Sequence, residues 1–227
     1  MIGMTPVKRN ISYVLKIIVI LSAVVGTILS ALGGRDAFMS GGTVLMYFTI
    51  QSNIAIALIC LIGIFLLIRN KPVKTAWKII KFVGTVAITL TGVVFAAVLA
   101  PTLGEEAWNV QNVLTHVVVP VAAVADFFVT GAGAGLKKRN VFFVVIPPLL
   151  YVIYAGIGYR AGWNFAGGEH YPYFFLNWGS PAGAFGFTNE LPYMGCVWWI
   201  LVLSLFLIAV GLCYLAIADR LGRKRVG

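Results

Sequence analysis

The stretch ISYVLKIIVILSAVVGTILSAL, residues 11–32, is the first of several long apolar blocks that decide the fold. It matches the roughly 20 residues that a helix needs to cross the hydrocarbon core of a bilayer. The sequence therefore predicts an all-α integral membrane protein, with six transmembrane helices in one bundle and a single domain over residues 1–227. The predicted spans are residues 11–32, 43–68, 77–100, 110–130, 141–160 and 191–217.

The basic residues before the first block raise the possibility of a cleaved signal peptide. Lys8 and Arg9 precede the block as an n-region would. The apolar core of a signal peptide has about 7–15 residues, however, and this block is longer. We therefore expect a retained helix.

Composition and charge argue against a soluble protein and against a nucleic-acid binder. Hydrophobic residues make up 60% of the chain and charged residues only 11%, whereas soluble proteins average about a quarter charged. The formal net charge is +10, but apart from Arg35 and Arg160 the basic residues all flank the same ends of six alternating helices. This positive-inside pattern predicts cytoplasmic N and C termini in the cell membrane. The expected partners are the lipid bilayer and a membrane lipid, with no nucleic acid.

Neither a metal nor a cofactor is expected. Cys60, Cys196 and Cys213 lie in predicted spans without the spacing of a zinc site or a disulfide framework. His116 is the one histidine within a span, and a lone histidine supplies too few ligands for zinc. We interpret the cysteines as small apolar residues.

The second block contains an unusual group of polar residues near its outer end. Thr49, Gln51, Ser52 and Asn53 fall within five positions of the stretch MYFTIQSNI, residues 46–54. Polar groups at membrane depth are costly, so such residues are candidates for a functional site. On a helix Thr49 and Asn53 share a face and Ser52 lies nearby, while Gln51 points elsewhere.

The fourth block supplies a histidine at a similar depth. In NVQNVLTHVVVPVAAVAD, residues 109–126, His116 lies about 9 Å below the outer end of the helix, as Thr49 does. Pro120 cannot donate a hydrogen bond to the His116 carbonyl, so a kink is predicted there. Asp126 lies about 15 Å deeper, too far to orient the His116 ring. We expect it to pair with a lysine or arginine.

A threonine and a histidine at matched depth fit a nucleophile and its general base. A hydroxyl is a weak nucleophile at its ordinary pKa and needs such a base, and histidine titrates near neutral pH. The alternatives are structural: a threonine bonded to its own helix and a neutral histidine bonded to a neighbouring helix. The sequence leaves both open. Further candidates for substrate binding or an oxyanion hole are Asn53, Ser52, Asn112, Tyr171, Tyr173 and Asn177.

A Gly-rich and aromatic segment, residues 161–190, separates the last two blocks. It is too polar to span the membrane and too aromatic to extend freely into water, because aromatic side chains favour the interface. We expect it to lie over the outer mouth of the bundle. A lid over a site and a simple interfacial anchor both remain open.

Three stretches carry a resemblance to a known family: FTIQSN at 48–53, THVVVP at 115–120 with Asp126 beyond it, and YPYFFLN at 171–177. With the six-helix topology they resemble the androgen-induced membrane hydrolases, a family with bacterial members. Animal members hydrolyse fatty acid esters of hydroxy fatty acids with an intramembrane threonine and a histidine. The resemblance implies that Thr49 is the nucleophile and His116 its partner. The sequence departs from the family pattern at Pro120, whose distance from the histidine differs by one position.

These observations lead to one predicted function and one rival. The predicted function is an intramembrane hydrolase of lipid esters that takes a fatty acyl ester laterally between helices and needs no cofactor. The rival is a non-enzymatic membrane protein that binds a lipid or small molecule, or a transporter, with the same polar cluster as its binding site. The sequence offers no evident pair of membrane charges, which argues against a proton-driven transporter.

Overall fold

The computed structural model describes residues 4–33, 41–70, 72–165 and 167–223. Within these ranges the chain is helical, and β-pairing is limited to one bridge between Phe187 and Met194. Six helices are long and apolar enough to cross a membrane, which makes this a multi-pass membrane protein. They are α1 Pro6–Leu32, α2 Phe48–Ile68, α3 Thr75–Leu103, α4 Val110–Thr130, α5 Lys138–Arg160 and α6 Cys196–Gly222.

The predicted spans correspond one to one with these helices, and the largest differences lie at the starts of α1, α2 and α6 and at the end of α6. Helix α1 begins earlier than predicted because Pro6 occupies its first position and the Thr5 hydroxyl accepts a hydrogen bond from Lys8 N at 3.4 Å. Helix α2 begins later because Gly41–Met46 forms a separate 3-10 helix. Helix α6 begins later because Tyr193 N bonds to Glu190 O in a turn.

Helix α3 lies at the centre of the bundle, where it packs against α2, α4, α5 and α6. Helix α1 packs against α2 and α4 on one side. Buried apolar clusters join these layers, the largest between α3, α4, α5 and α6 around Phe82 and Phe127. The central position of α3 brings its side chains into contact with the polar residues of both α2 and α4.

The six spans place the start of α1 and the end of α6 at the same end of the bundle. We call this the basic end, because the described lysines and arginines other than Arg160 all lie in the half of the bundle that contains it. The opposite end, the loop end, holds the α3–α4 connection and the long segment between α5 and α6. Arg35 and Asp36, which the sequence places at the loop end, lie outside the described residues.

Two neighbouring helices each contain a π-helical turn near the loop end. These turns are Phe95–Leu99 in α3 and Leu114–Val118 in α4. The second turn ends just before Pro120, so the distortion occurs where the sequence predicted a kink. Gly92 permits close approach here, because a β-carbon added to it would lie 2.8 Å from the His116 carbonyl oxygen. Such π-turns often accompany functional sites.

Candidate functional site

The first turn of α2 and the π-turn of α4 bring the two predicted catalytic side chains together. Thr49 Oγ1 lies 3.3 Å from His116 Nε2, and both residues are buried. This distance is within hydrogen-bonding reach, although at its long end. The matched depth inferred from the sequence thus becomes a direct contact between a hydroxyl and an imidazole nitrogen.

The surroundings of the His116 ring define which nitrogen carries the proton. Nδ1 lies 3.1 Å from the Asn112 carbonyl oxygen, which can only accept a hydrogen bond. It also lies 3.0 Å from the Thr115 hydroxyl, whose own proton is donated to the Gln111 carbonyl, so that this oxygen too acts as an acceptor. In the neutral ring the proton is therefore assigned to Nδ1, and Nε2 has a free lone pair. The Thr49 hydroxyl can then donate to Nε2, which is the arrangement that a general base requires.

Phe95 packs against the face of the His116 ring and fixes its orientation. The two rings are stacked with centroids 3.9 Å apart and an interplanar angle of 19°. Phe95 belongs to the π-turn of α3 and is itself packed edge-on against Trp108. Nothing in the sequence singled out Phe95, since one phenylalanine in an apolar helix carries no distinguishing pattern.

Asn53 ties the two helices together beneath Thr49 and His116. Its amide Nδ2 donates to the Thr49 carbonyl at 2.8 Å and to the Thr115 carbonyl at 3.2 Å. Its side chain is completely buried. Both amide hydrogens are thus engaged by backbone, which makes Asn53 a positioning residue for the pair.

Ser52 faces a different neighbour. Its hydroxyl lies 2.7 Å from the Thr91 hydroxyl of α3 and also donates to the Thr49 carbonyl. This pair links α2 to α3 one turn from the Thr49 hydroxyl. Gln51 points away, as its face on the helix predicts, and donates to the Leu45 carbonyl.

The loop between α5 and α6 contributes Tyr173 to the site. Its Oη lies 3.3 Å from Thr49 N and 3.5 Å from Thr49 Oγ1. The Thr49 amide belongs to the first helical turn, where backbone N–H groups have no partner within the helix. Burial raises the pKa of the Tyr173 hydroxyl, which therefore stays protonated and can donate a hydrogen bond.

An aromatic cluster fixes Tyr173 in place. Its ring stacks on Phe175 with centroids 5.1 Å apart and packs edge-on against Tyr47. This segment of the predicted outer loop therefore reaches into the bundle and contacts the α2 N-terminus. Of the two interpretations left open for the loop, a covering role fits this position.

Three other candidates for substrate binding or an oxyanion hole, Asn112, Tyr171 and Asn177, do not bring their side chains to Thr49 or His116. Asn112 contributes its backbone carbonyl to His116, while its side chain donates to the Ala107 carbonyl. Asn177 Oδ1 accepts a hydrogen bond from Gly179 N within the loop. Among the described contacts, neither Tyr171 nor Asn177 reaches Thr49 or His116.

A narrow apolar cavity of about 70 Å³ opens beside Thr49. It runs between α2, α3, α5 and α6 and is closed at the loop end by the aromatic segment. Its lining is largely hydrocarbon and aromatic, with Thr49, Thr91, Ser204 and the hydroxyls of Tyr151 and Tyr173 as its polar groups. Other lining residues include Phe48, Leu90, Val94, Val152, Phe175 and Leu203.

Asp126 takes no part in this site. It pairs with Lys16 and Lys81 inside the basic half of the bundle, at distances of 2.6 and 2.5 Å. The sequence predicted pairing of Asp126 with a basic residue but did not show that the pair is buried. The argument from missing membrane charges against a transporter is therefore wrong. The signal was Lys16 itself, a lone lysine within an apolar block.

Metal-ligating groups do not converge in the described part of the chain. Within the ranges given above, histidine, cysteine, aspartate and glutamate form no cluster of three or more that could hold an ion. The groups that the described residues bring to the site are a hydroxyl, an imidazole, a phenol and backbone amides.

Comparison with models of protein families, with curated proteins and with solved structures gave no match. Support for a function therefore comes from the geometry of the described residues and from the resemblance in the sequence.

Proposed function

We propose that this protein is an intramembrane hydrolase of lipid esters, related to the androgen-induced membrane hydrolases. The observation that carries the proposal is the contact between Thr49 Oγ1 and His116 Nε2 at 3.3 Å. In the proposed orientation the basic end faces the cytoplasm, which follows the positive-inside rule. The Thr49 site then lies toward the outer face of the cell membrane.

In the first step Thr49 Oγ1 attacks the ester carbonyl carbon. His116 Nε2 takes the hydroxyl proton, and the Asn112 carbonyl stabilises the imidazolium through its hydrogen bond to Nδ1. When the tetrahedral intermediate collapses, His116 returns this proton to the departing alkoxide. The alcohol leaves and the acyl group remains on Thr49.

The negative oxygen of the tetrahedral intermediate needs hydrogen-bond donors that are already in place. Tyr173 Oη, 3.5 Å from Thr49 Oγ1, is one such donor. The Thr49 amide is a second, since the oxyanion can replace Tyr173 as its acceptor. The helix dipole of α2 adds positive potential at this end.

A water molecule completes the cycle. His116 Nε2 removes a proton from the water as it attacks the acyl carbonyl, and then returns that proton to Thr49 Oγ1 when the second tetrahedral intermediate breaks down. The products are a free fatty acid and a regenerated threonine hydroxyl. No other reactant is needed.

The apolar cavity supports a lipid substrate in this proposal. Its narrow hydrocarbon lining fits an unbranched acyl chain, with the ester at the end marked by Thr49 and Tyr173. Burial of each methylene contributes about 0.8 kcal/mol, so ester hydrolysis should improve with chain length until the cavity is filled. A fatty acyl ester in the bilayer meets these requirements.

The test is covalent labelling of purified protein by a fluorophosphonate with a fatty alkyl chain. Wild type and Thr49→Ser should label, because both have a hydroxyl beside His116, while Thr49→Ala and His116→Ala should not. Thr85→Ala is the matched control. Thr85 is equally buried, but its hydroxyl bonds only its own helix, so labelling should remain.

Labelling that survives Thr49→Ala in a folded protein would overturn the hydrolase and favour the binding protein or transporter. A second probe with a shorter chain is run in parallel, because a poor fit to the cavity alone can prevent reaction. Failure of both probes on folded wild-type protein also counts against the hydrolase.

A further inference from the structure

Two lysines share one carboxylate inside the basic half of the bundle. Lys16 Nζ lies 2.6 and 2.7 Å from the two Asp126 carboxylate oxygens, and Lys81 Nζ lies 2.5 Å from Oδ2. Ser12 Oγ donates to Oδ1 at 2.6 Å. Both carboxylate oxygens are thus fully engaged. Two ammonium groups against one carboxylate leave a formal excess of one positive charge among buried side chains.

The close approach of α2 supports this cluster. A β-carbon added to Gly63 would lie 2.6 Å from Lys16 Cε, so only glycine leaves room for the lysine stem. The stem runs against α2 toward Asp126 on α4. Lys16 is therefore packed inside the bundle, with 2% of its surface exposed.

A cavity of about 260 Å³ adjoins the cluster and is lined by a third lysine. Lys78 is half-buried, and its Nζ donates a hydrogen bond to the Ala134 carbonyl at 3.1 Å. Three ammonium groups and one carboxylate give the surroundings of the cavity a formal charge of +2. The residues that argue for a ligand site are Lys16, Lys78, Lys81, Trp77, Thr130 and the exposed Pro72.

Excess positive charge away from bulk water is costly unless an anion balances it. The sequence offers one other acidic residue at this end, Asp219, and it does not line the cavity. Asp219 Oδ1 instead lies 3.5 Å from Gly135 N in the α4–α5 connection. The cavity is far larger than the 10–15 Å³ that a single water needs. The structure thus combines room, uncompensated charge and one ammonium group, that of Lys78, with donors to spare.

We infer that this cavity binds a phosphate monoester group, supplied either by the headgroup of phosphatidic acid or by free inorganic phosphate. A phosphate monoester carries up to two negative charges, which matches the excess of +2. Lys16 and Lys81 contribute charge, because each of their ammonium groups already donates to Asp126 and to neighbouring groups. Lys78 Nζ makes one described hydrogen bond and has donors left for the phosphate oxygens. Pro72 and Trp77 place the mouth of the cavity at the membrane surface, where lipid headgroups lie. The site is independent of the proposed hydrolase, because Asp126 is about 15 Å from His116 along α4.

The experiment is native mass spectrometry of the full chain released from a neutral detergent. Phosphatidic acid and phosphatidylcholine with identical acyl chains compete for binding, and inorganic phosphate is added to displace them. Thermal unfolding with and without phosphate is measured on the same preparation. The variants are Lys78→Gln, Lys78→Arg and, as matched control, Lys74→Gln, which removes an exposed charge one turn away that does not line the cavity.

The expected result is preferential binding of phosphatidic acid over phosphatidylcholine. Lys78→Gln should weaken it about tenfold, the loss typical of one hydrogen bond between charged groups, while Lys78→Arg restores it and Lys74→Gln leaves it within about twofold. Displacement by phosphate indicates that both sources of the group bind. No displacement assigns the site to the lipid headgroup. Stabilisation by phosphate without any lipid preference assigns it to the free ion.

Two results overturn the inference. The first is that the two lipids bind equally well and that phosphate does not change the thermal unfolding midpoint. This result can be obtained with the wild-type protein alone. The other is equal weakening by Lys78→Gln and Lys74→Gln, which would reduce the effect to surface charge. Neither result bears on Thr49, so the hydrolase proposal is judged separately.

Discussion

Replacing Tyr173 by phenylalanine tests the proposed oxyanion site most sharply, because it removes a single oxygen atom. The ring keeps its stacking on Phe175, while the hydroxyl 3.5 Å from Thr49 Oγ1 is lost. Loss of one oxyanion donor lowers kcat by about 10²–10³-fold, or roughly 2.7–4 kcal/mol. The Thr49 amide remains as a second donor, so we expect the lower end of this range, about 100-fold.

The same change also lowers stability, which must be separated from its effect on catalysis. The Thr49 amide loses its Tyr173 acceptor, and an unsatisfied buried amide costs about 1–3 kcal/mol. Tyr214→Phe is the control, because its hydroxyl lies 3.0 Å from the Thr89 hydroxyl on the α3–α6 contact. This substitution removes a comparable contact between two hydroxyls at a position far from Thr49.

The assay is hydrolysis of a chromogenic fatty acid ester by purified protein in detergent, with kcat and KM measured separately. We expect Tyr173→Phe to lower kcat about 100-fold and Tyr214→Phe to change it less than about threefold. A kcat for Tyr173→Phe equal to that of Tyr214→Phe would refute the oxyanion role. A change confined to KM would instead make Tyr173 a substrate-binding residue.

The pH dependence gives an independent check on Tyr173. Burial raises its pKa above the ordinary value of about 10. The hydroxyl therefore remains a donor throughout the usual assay range, and the pH–rate profiles of wild type and Tyr173→Phe should have the same shape below pH 10. An alkaline decline present only in the wild type would contradict this.

Further substitutions probe the helix contacts that position the site. Gly92→Ala places a β-carbon 2.8 Å from the His116 carbonyl oxygen and should cost about 1–3 kcal/mol of stability. Activity should fall with it, whereas Gly156→Ala, with no atom within 4 Å of the added carbon, should change neither. Asp126→Asn removes the charge shared by two buried lysines and should destabilise the fold by about 3–5 kcal/mol. The half-exposed Asp219→Asn should shift the thermal midpoint little. The folded fraction of Asp126→Asn should keep its kcat. A loss of kcat as large as that of Gly92→Ala would contradict the separation of the Thr49–His116 site from the cluster of Lys16, Lys81 and Asp126.

The sequence predicted those features that depend on helix length and depth. Apolar length defines a membrane span, so the six helices could be located from hydropathy. Thr49 and His116 could be paired because the predicted spans placed them at a similar depth. In the structure α2 begins at Phe48, so Thr49 lies in its first turn, while His116 lies in the second turn of α4. This reasoning fixes depth but not rotation, and the contact itself had to come from the structure.

Other features depend on tertiary contacts that no local pattern reports. Tyr171 and Tyr173 are alike in sequence, and the path of the loop alone decides that Tyr173 reaches Thr49. Phe95 is one apolar residue among many until α3 brings it over the His116 ring. Lys16 was grouped with the basic flank of the first helix, because burial of a lysine depends on a partner 110 positions away.

Mapping the probe adduct to a residue tests the central claim most directly. Wild-type protein labelled with the long-chain fluorophosphonate is digested with a protease that cleaves within membrane segments, and the adduct is located by tandem mass spectrometry. The account predicts one adduct on Thr49 Oγ1 and none on protein pretreated with a competing fatty acyl ester. An adduct on Ser52, on Thr91 or on another hydroxyl, with Thr49 unmodified, would contradict it.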